Sequence, residues 1–271
     1  MPREITSFSN ESVKRLRALR DKKARKSEGL FLAEGLRIIA EARDVGVLPK
    51  TIAYAKGPSG LHPLAQEIAA EAEAAGADVI ETSADILAKM SGKDNPQAII
   101  GAYEQPRTTL ADLDRHAAPL WLVAQAMRDP GNIGTTLRTG DAVAAGGLIL
   151  LDQSADPYSV EAVRASMGAI FTQTLVQCEW DEFINWLRAD AGQLVATSLR
   201  TDTDYLDARY ESPCFLLTGN ESQGLPVAYE DAADIRVKMP MLGRADSLNA
   251  AVATAVMAFH VRASWRNITT T

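Results

Sequence analysis

Three short polar segments in the second half of the chain hold the side chains best suited to chemistry. The first contains Asn132 and Arg138, the second contains Glu221, and the third contains Ser247 and Asn249. Amide, hydroxyl, carboxylate and guanidinium groups can orient a substrate and stabilise a developing negative charge. Taken alone, each of them fits helix capping or loop hydrogen bonding equally well. A common site therefore depends on whether the fold brings the three segments together.

The elements that precede these segments have the composition of buried strands. Apolar runs at Leu120–Ala124, Cys214–Thr218 and Ile235–Met239 each stop at a turn. Strand and helix alternate throughout this half, which predicts a parallel sheet with helices on both faces. Neighbouring parallel strands end at the same edge of a sheet, so their loops can build one ligand site. We expect Ser247 to cap a long helix that begins at Leu248.

The first half of the chain also alternates between helix and strand, which predicts a second α/β layer structure. We expect its first helix to begin at Ser9 or Asn10 and to end at about Lys23. Prolines, paired threonines and charges over residues 106–117 predict a linker between the two halves.

Charge is distributed unevenly along the sequence. The net charge is −7, yet residues 1–43 hold eleven Lys and Arg against six Asp and Glu, which leaves +5 there and −12 elsewhere. Such asymmetry is typical of a local surface for a polyanion, although a solvated basic helix has the same composition. The candidate RNA-binding residues are Lys14, Arg17, Lys22, Lys23, Arg25 and Lys26.

Several function classes find no support in the sequence. Two separated cysteines and three scattered histidines indicate neither a disulfide framework nor a metal site. The glycine patterns of dinucleotide folds, phosphate-binding loops and G-x-S-x-G hydrolases are missing. We find no signal peptide and no apolar run of membrane-spanning length, and therefore expect a soluble cytoplasmic protein that contacts no membrane.

Taken together, the three segments carry ordered motifs. They are DPGNIG from Asp129 with Arg138 behind it, LTGNESQGL from Leu217, and MPM from Met239 followed by SLN from Ser247. With these motifs, the second half resembles the SpoU (TrmH-type) RNA 2′-O-ribose methyltransferases of the SPOUT class. Three motifs in order at family-like spacing form a far more specific signal than any one of them.

The first half resembles the L30e-like substrate-binding domain that is often fused to these enzymes. The resemblance depends on NESVK from Asn10, the basic helix and GLFLAEG from Gly29. Asn95-Pro96-Gln97 departs from the His-Gln-Gly of many relatives, and its pattern alone predicts a turn.

The resemblance implies an α/β fold with a domain division. It implies an L30e-like RNA-binding domain over residues 1–105 and, after the linker, a catalytic domain over 118–271. The catalytic domain would be a parallel sheet whose C-terminal part is threaded as a deep trefoil knot. The family works as homodimers with sites near the interface, and no metal is implied.

The resemblance also implies S-adenosylmethionine as the cofactor and a ribose 2′-hydroxyl in structured RNA as the acceptor. Arg138 would grip the RNA phosphate and stabilise the developing alkoxide, because a guanidinium group is a poor base. The implied catalytic residues are Arg138, Asn132, Glu221, Ser247 and Asn249, and the implied cofactor-binding residues are Thr197, Leu217, Gly219, Met239 and Leu248.

Ribosomal RNA is favoured over tRNA because the fused first domain is typical of relatives that act on rRNA. Two further readings of the sequence stay open at this stage. One is an RNA-binding module without catalytic activity on the same fold, and the other is an α/β enzyme that binds NAD or ATP.

Overall fold

The computed structural model describes residues 2–57, 60–92, 97–220 and 222–266. Contacts divide the chain into two compact units. The first unit consists of Met1–Pro106 with Asp156–Thr172, and the second consists of Arg107–Ala155 with Gln173–Thr271. The segment 156–172, expected in the catalytic domain, therefore packs with the first unit.

The first unit is built on a mixed sheet. Within the described residues it has five strands in the order β1-β4-β3-β5-β2. Strand β5 runs antiparallel to both β2 and β3, whereas β4 is parallel to its neighbours β1 and β3. The elements are β1 (Arg3–Ile5), α1 (Glu11–Ala18), α2 (Lys22–Glu28), β2 (Leu30–Glu34), α3 (Leu36–Asp44), β3 (Thr51–Ala55), α4 (Pro63–Ala74), β4 (Asp78–Thr82), α5 (Ala84–Ser91) and β5 (Ile99–Glu104).

The expected single basic helix is two helices. Asn10 caps α1, accepting from the Ser12 N–H, but the helix ends at Ala18 and α2 begins only at Lys22. The break is stabilised by Arg25, whose Nη1 donates to the carbonyl oxygens of Leu19 at 2.9 Å and of Arg20 at 2.6 Å. A side chain from the second helix thus satisfies carbonyl groups freed at the end of the first.

The segment 156–172 joins the first unit through helix α7 (Val160–Ser166), which packs against β2. The Tyr158 ring lies 5.0 Å from the ring of Phe31, and Phe171 lies 4.8 Å from Tyr103. Aromatic rings at these centroid distances attract one another, so the two contacts anchor the segment to the sheet.

The second unit contains the expected parallel sheet. Its six strands within the described residues follow the order β11-β9-β10-β6-β7-β8, and all neighbours are parallel. Strands β6, β7, β9 and β10 are largely buried, as the apolar runs predict. The elements are β6 (Leu120–Gln125), α6 (Pro130–Ala142), β7 (Gly147–Leu151), β8 (Thr174–Cys178), α8 (Trp180–Arg188), β9 (Gln193–Thr197), β10 (Cys214–Thr218), α9 (Val227–Asp231), β11 (Ile235–Val237) and α10 (Ala250–Arg266).

The expected linker is a packed part of the second unit. Short 3-10 turns occupy Leu110–Asp112 and Arg115–Ala117. Arg115 is buried, lies 4.0 Å above the Trp186 ring, and donates to the Trp186 and Leu187 carbonyl oxygens at 2.6 and 2.9 Å. These contacts hold the segment against α8, so it is an ordered part of the second unit and not a flexible spacer.

None of the helices in the described ranges has the length and apolar character needed to cross a membrane.

Candidate functional site

A cavity of about 560 Å³ opens in the second unit beside the carboxyl ends of β9, β10 and β11. This volume is typical of pockets that bind small molecules. Five of the predicted site residues line it, namely Thr197, Gly219, Met239, Ser247 and Leu248. The sheet edge chosen from the strand pattern is therefore where the cavity lies.

Asn220 holds the loop that follows β10. Its Nδ2 donates to the carbonyl oxygen of Ala126 at 2.8 Å, which ties this loop to the one after β6. Its Oδ1 accepts the N–H groups of Ser222 and Gln223 at 2.9 and 3.2 Å. The side chain thus fixes the wall of the cavity. Glu221, a predicted catalytic residue, lies outside the described residues, as do Asn95 and Pro96.

Gly219 lets two backbone segments meet at the cavity. A Cβ placed on Gly219 would lie 2.5 Å from Gly224 C and from Leu225 N, and 2.8 Å from Gly224 O. Backbone atoms cannot give way to a side chain at such distances, so the close crossing depends on glycine. Gly224 adopts φ +67°, the left-handed conformation that closes the turn.

The cavity has apolar walls and one predicted residue that lies behind them. Met239, Met257 and Leu248 line it, and the Leu217 side chain is fully buried in the core instead. The Leu217 carbonyl oxygen accepts from Thr197 Oγ1 at 3.3 Å, so Leu217 supports the wall through its backbone.

A charged pair in the cavity was missed by the sequence reasoning. Arg200 Nη1 contacts Glu230 Oε2 at 2.8 Å, and the Glu230 side chain is 6% exposed. Helix α9, which carries Glu230, is held by Tyr229. The Tyr229 hydroxyl donates to Asp152 at 3.0 Å, and its ring stacks on Trp180 at 3.8 Å. A five-residue helix without side-chain capping left no pattern from which to infer this arrangement.

The long C-terminal helix begins two residues later than expected. Asn249 is its cap, because Oδ1 accepts the N–H groups of Ala251 and Val252 at 2.9 and 3.2 Å and α10 starts at Ala250. Ser247 is exposed, and its hydroxyl donates to Asp246. The predicted cap at Ser247 is therefore wrong, and the residue lines the cavity mouth instead.

Two of the three polar segments meet directly. Asn249 Nδ2 donates to Asn132 Oδ1 at 3.0 Å, although the residues are far apart in sequence. Asn132 is buried in the first turn of α6, which Asp129 caps by accepting the Gly131 N–H at 2.7 Å. This contact joins the start of α10 to the start of α6.

Arg138 lies on the exposed side of α6 and does not line the cavity. Among the described residues, its side chain has no hydrogen-bond or ion-pair partner, which leaves the guanidinium group available to a substrate. Because Asn132 and Arg138 share one helix, the Asn249 contact fixes the element that carries Arg138.

The predicted RNA-binding residues divide into two groups. Five are exposed, namely Lys14, Arg17, Lys22, Lys23 and Lys26. Arg25 is 3% exposed and pairs with Asp156 at 2.6 Å, so its assignment to the RNA surface is corrected. Its guanidinium group donates to Asp156 and to the carbonyl oxygens of Leu19 and Arg20, all in the first unit. The buried side chain is therefore inaccessible to a large ligand such as RNA.

Metal binding and a cysteine nucleophile are two other kinds of chemistry to compare with the described residues. The described part of the chain contains no group of three His, Cys, Asp or Glu side chains placed to hold a metal ion. Burial raises the pKa of the Cys178 thiol to about 12 and also raises the pKa of Cys214, which disfavours a thiolate nucleophile at neutral pH.

Comparison with known families matches both halves of the chain. Residues 119–259 match the model described as the SpoU rRNA Methylase family. Residues 10–101 match the MRM3-like substrate binding domain.

Individual relatives align over nearly the whole chain. A 23S rRNA (uridine(2479)-2′-O)-methyltransferase of Streptomyces viridochromogenes is 32% identical over 278 residues, covering 99% of this chain and 96% of the relative. The 23S rRNA (guanosine(2553)-2′-O)-methyltransferase RlmP of Bacillus subtilis is 28% identical over 263 residues, covering 96% and 99%. The AdoMet-bound rRNA methyltransferase from Sinorhizobium meliloti has a TM-score of 0.89 at 38% identity, covering 97% and 98%.

The family match lies on the same residues that build the cavity and the Asn249–Asn132 contact. It spans more than half of the chain, and the relative at 32% identity aligns with almost all of it. This chain belongs to the SpoU rRNA methylase family.

Proposed function

We propose that this protein transfers the methyl group of S-adenosylmethionine to a ribose 2′-hydroxyl in ribosomal RNA. The observation that carries the proposal is the meeting of the three polar segments. The loop after β10 and the loop before α10 line one cavity, and Asn249 bonds to the helix that carries Arg138. Two relatives that align with nearly the whole chain are named as 23S rRNA 2′-O-methyltransferases.

The cavity suits S-adenosylmethionine in its volume, its apolar lining and its charges. Met239, Leu248 and Met257 offer an apolar surface for a base, and the missing Cβ of Gly219 lets the backbone of Gly224 and Leu225 close the wall beside it. The Arg200–Glu230 pair supplies charges of both signs, and the ligand carries both. We propose Thr197, Gly219, Met239, Ser247 and Leu248 as its side-chain and backbone contacts, with Leu217 supporting Thr197 from behind.

The cofactor would supply a methyl group activated by a positive sulfur atom. The protein must then align the 2′-oxygen with that methyl and help the hydroxyl lose its proton. We propose that Arg138 binds the adjacent RNA phosphate and stabilises the developing alkoxide, while the hydroxyl proton leaves to that phosphate or to water. Asn132 and Asn249 act as positioning residues, because their mutual bond fixes helix α6. Glu221 stays a proposed member of this group on the strength of its motif.

The first unit would bind the RNA. Residues 10–101 match a substrate-binding domain, and Lys14, Arg17, Lys22, Lys23 and Lys26 present positive charge on its surface. Ribosomal RNA is preferred over tRNA because the Streptomyces viridochromogenes and Bacillus subtilis relatives are named for 23S rRNA. We also propose that the protein acts in the cytoplasm, on the rRNA present there.

We also propose a homodimer formed through α10. Val252, Val256 and Phe259 recur at helical spacing on one face and are 47, 38 and 55% exposed. Contiguous exposed apolar surface is typical of protein interaction sites. A two-fold pairing of identical stripes would cover it.

The proposed trefoil knot is supported by the order of the strands. Strand β10 lies between β9 and β6, and β11 lies beyond β9. The chain then returns across the sheet, since α10 packs against α6 and β10. We propose that this return passes through the loop that follows β9.

The proposed function is tested by incubating the protein with S-adenosylmethionine and 23S rRNA, then mapping 2′-O-methyl groups. We expect one methylated nucleotide and binding of S-adenosylmethionine by calorimetry. Cofactor binding without methylation of rRNA or tRNA would favour the non-catalytic RNA-binding module. Binding of NAD or ATP in place of S-adenosylmethionine would refute the proposal.

A further inference from the structure

A second cavity, of about 550 Å³, lies entirely within the first unit. Helix α1 and the turn after it contribute Lys14, Arg17 and Arg20, and Arg164 comes from α7, far away in sequence. Asp21 and Glu161 also line it. Four cations against two carboxylates leave two net positive charges in the lining. The RNA-binding residues predicted from the sequence included neither Arg20 nor Arg164.

The arginines of this cavity keep much of their binding capacity. Arg17 and Arg20 are both exposed, and Arg20 interacts electrostatically with Glu34. Arg164 is half exposed and contacts Glu34 through Nη2 at 3.3 Å. Guanidinium groups carry up to five donors, so a single contact leaves Arg164 with others to offer.

The guanidinium group of Arg20 packs against a glycine. Gly92 ends helix α5 with φ +72°, and a Cβ there would lie 2.1 Å from Arg20 Cζ. The guanidinium group therefore packs directly on the backbone at the end of the helix. The C-terminus of a helix carries partial negative charge, which stabilises a cation at that position.

The buried pair between Arg25 and Asp156 holds α7 beside α1. Arg25 donates to Asp156 through Nε at 3.0 Å and through Nη2 at 2.6 Å, and to the carbonyl oxygens of Leu19 and Arg20. One side chain thus bonds both to the turn that carries Arg20 and to the segment leading to Arg164. The cationic groups are brought together before any ligand arrives, which lowers the ordering cost of binding.

We propose that this cavity binds a backbone phosphate of the RNA substrate, with Arg17, Arg20 and Arg164 as its donors. Planar guanidinium groups match the geometry of phosphate oxygens and can bind them in pairs. A phosphodiester carries one negative charge, which the two net positive charges of the lining can neutralise. The proposal rests on RNA being the substrate of the protein.

The test compares the full-length variants Arg17→Gln, Arg164→Gln and their double mutant with the wild type in binding to 23S rRNA across a salt series. Arg37→Gln is the matched control, because Arg37 is an exposed arginine on α3 of the same unit. We expect each single variant to weaken RNA binding about tenfold near 100 mM salt. The slope of log affinity against log salt should fall by about one unit.

The double mutant should lose less than the product of the two single effects, because both arginines bind the same phosphate. Arg37→Gln should leave the affinity and the slope close to those of the wild type. Equal effects in Arg37→Gln and Arg17→Gln would overturn the proposal, as would an unchanged slope in Arg17→Gln.

Folding and function are separated by two further measurements. Arg164→Gln leaves Glu34 without that partner, so thermal unfolding is recorded, and Arg17→Gln provides the test if Arg164→Gln unfolds. Calorimetry should show unchanged affinity for S-adenosylmethionine in every variant. If the wild-type protein methylates rRNA and Arg17→Gln binds RNA as tightly as the wild type, only the phosphate site is refuted. Absence of wild-type methylation would refute the proposed function itself.

Discussion

The side-chain Nδ2 of Asn249 donates to Asn132 Oδ1 at 3.0 Å, and the side-chain Oδ1 of Asn249 caps α10. One residue therefore starts the C-terminal helix and ties it to the helix that carries Arg138. The two tasks use different atoms, Oδ1 for the cap and Nδ2 for the contact with Asn132, so different substitutions can separate them.

We expect Asn249→Ser to keep the cap, because serine is a good N-cap residue, and to lose the contact with Asn132. Its melting temperature should stay near that of the wild type while kcat falls at least about tenfold. Asn249→Ala should lose both and be destabilised by about 1 kcal/mol. Thermal unfolding and steady-state methylation measure the two effects. Full activity in Asn249→Ser would show that the contact does not position the site.

Gly219→Ala should damage cofactor binding, because its Cβ would meet the backbone of Gly224 and Leu225 at 2.5 Å. Overpacking of this kind costs about 1–3 kcal/mol, which corresponds to about fivefold to 150-fold weaker affinity for S-adenosylmethionine. The control is Gly243→Ala, since a Cβ on Gly243 meets nothing within 4 Å. Calorimetry of both variants checks the prediction, and equal affinities would count against the close crossing as part of the cofactor site.

Arg138→Gln should lower kcat about 100-fold, because a donor to developing negative charge is lost. Affinity for S-adenosylmethionine should stay unchanged, since Arg138 does not line the cavity. Arg138→Lys keeps the charge without the planar fork and should recover only part of the activity. Arg107→Gln, an exposed arginine of the same unit, serves as the control. Wild-type activity in Arg138→Lys would argue against both proposed roles.

The parallel sheet, the SpoU family and the sheet edge that holds the cavity were all predicted from the sequence, and the structure and comparisons confirm them. Apolar runs with the length of a strand identified β6 and β10 because both are buried on two faces. Motif order was informative because three loops must converge on one ligand.

Contacts between remote residues were beyond the reach of sequence patterns. In the sequence, Arg25 cannot be told from its basic neighbours. Only the structure shows that it is buried and paired with Asp156. Ser247 and Asn249 are both good caps, and the choice between them depends on where the chain meets Asn132. Sequence periodicity predicts which face of a helix or strand is buried. It does not predict which distant residue a side chain on that element will contact.

Phe259→Glu should convert the proposed dimer into a monomer. The substitution places a charge in the proposed apolar interface, where desolvation is costly. Light scattering during size-exclusion chromatography should show the mass falling by half. Val45→Glu is the control, because Val45 is an apolar residue 47% exposed at the end of α3 in the first unit. An unchanged mass in Phe259→Glu would contradict pairing through this face.

Glu34 should make stability depend on pH. Its side chain is 3% exposed, and burial raises its pKa above the ordinary value of 4.5, an effect that Arg164 and Arg20 partly offset. The folded state therefore binds this proton more tightly than the unfolded state. The resulting stabilisation is fully present below pH 4.5 and is lost as the pH rises through the raised pKa.

Glu34→Gln removes this titration, so its melting temperature relative to the wild type should rise as the pH increases from about 4.5 to about 8. Glu4→Gln, at an exposed position of the same unit, should track the wild type over the range. Thermal unfolding followed by circular dichroism measures all three proteins. Parallel curves for Glu34→Gln and the wild type would mean that the Arg164 contact fully compensates the burial of the carboxylate.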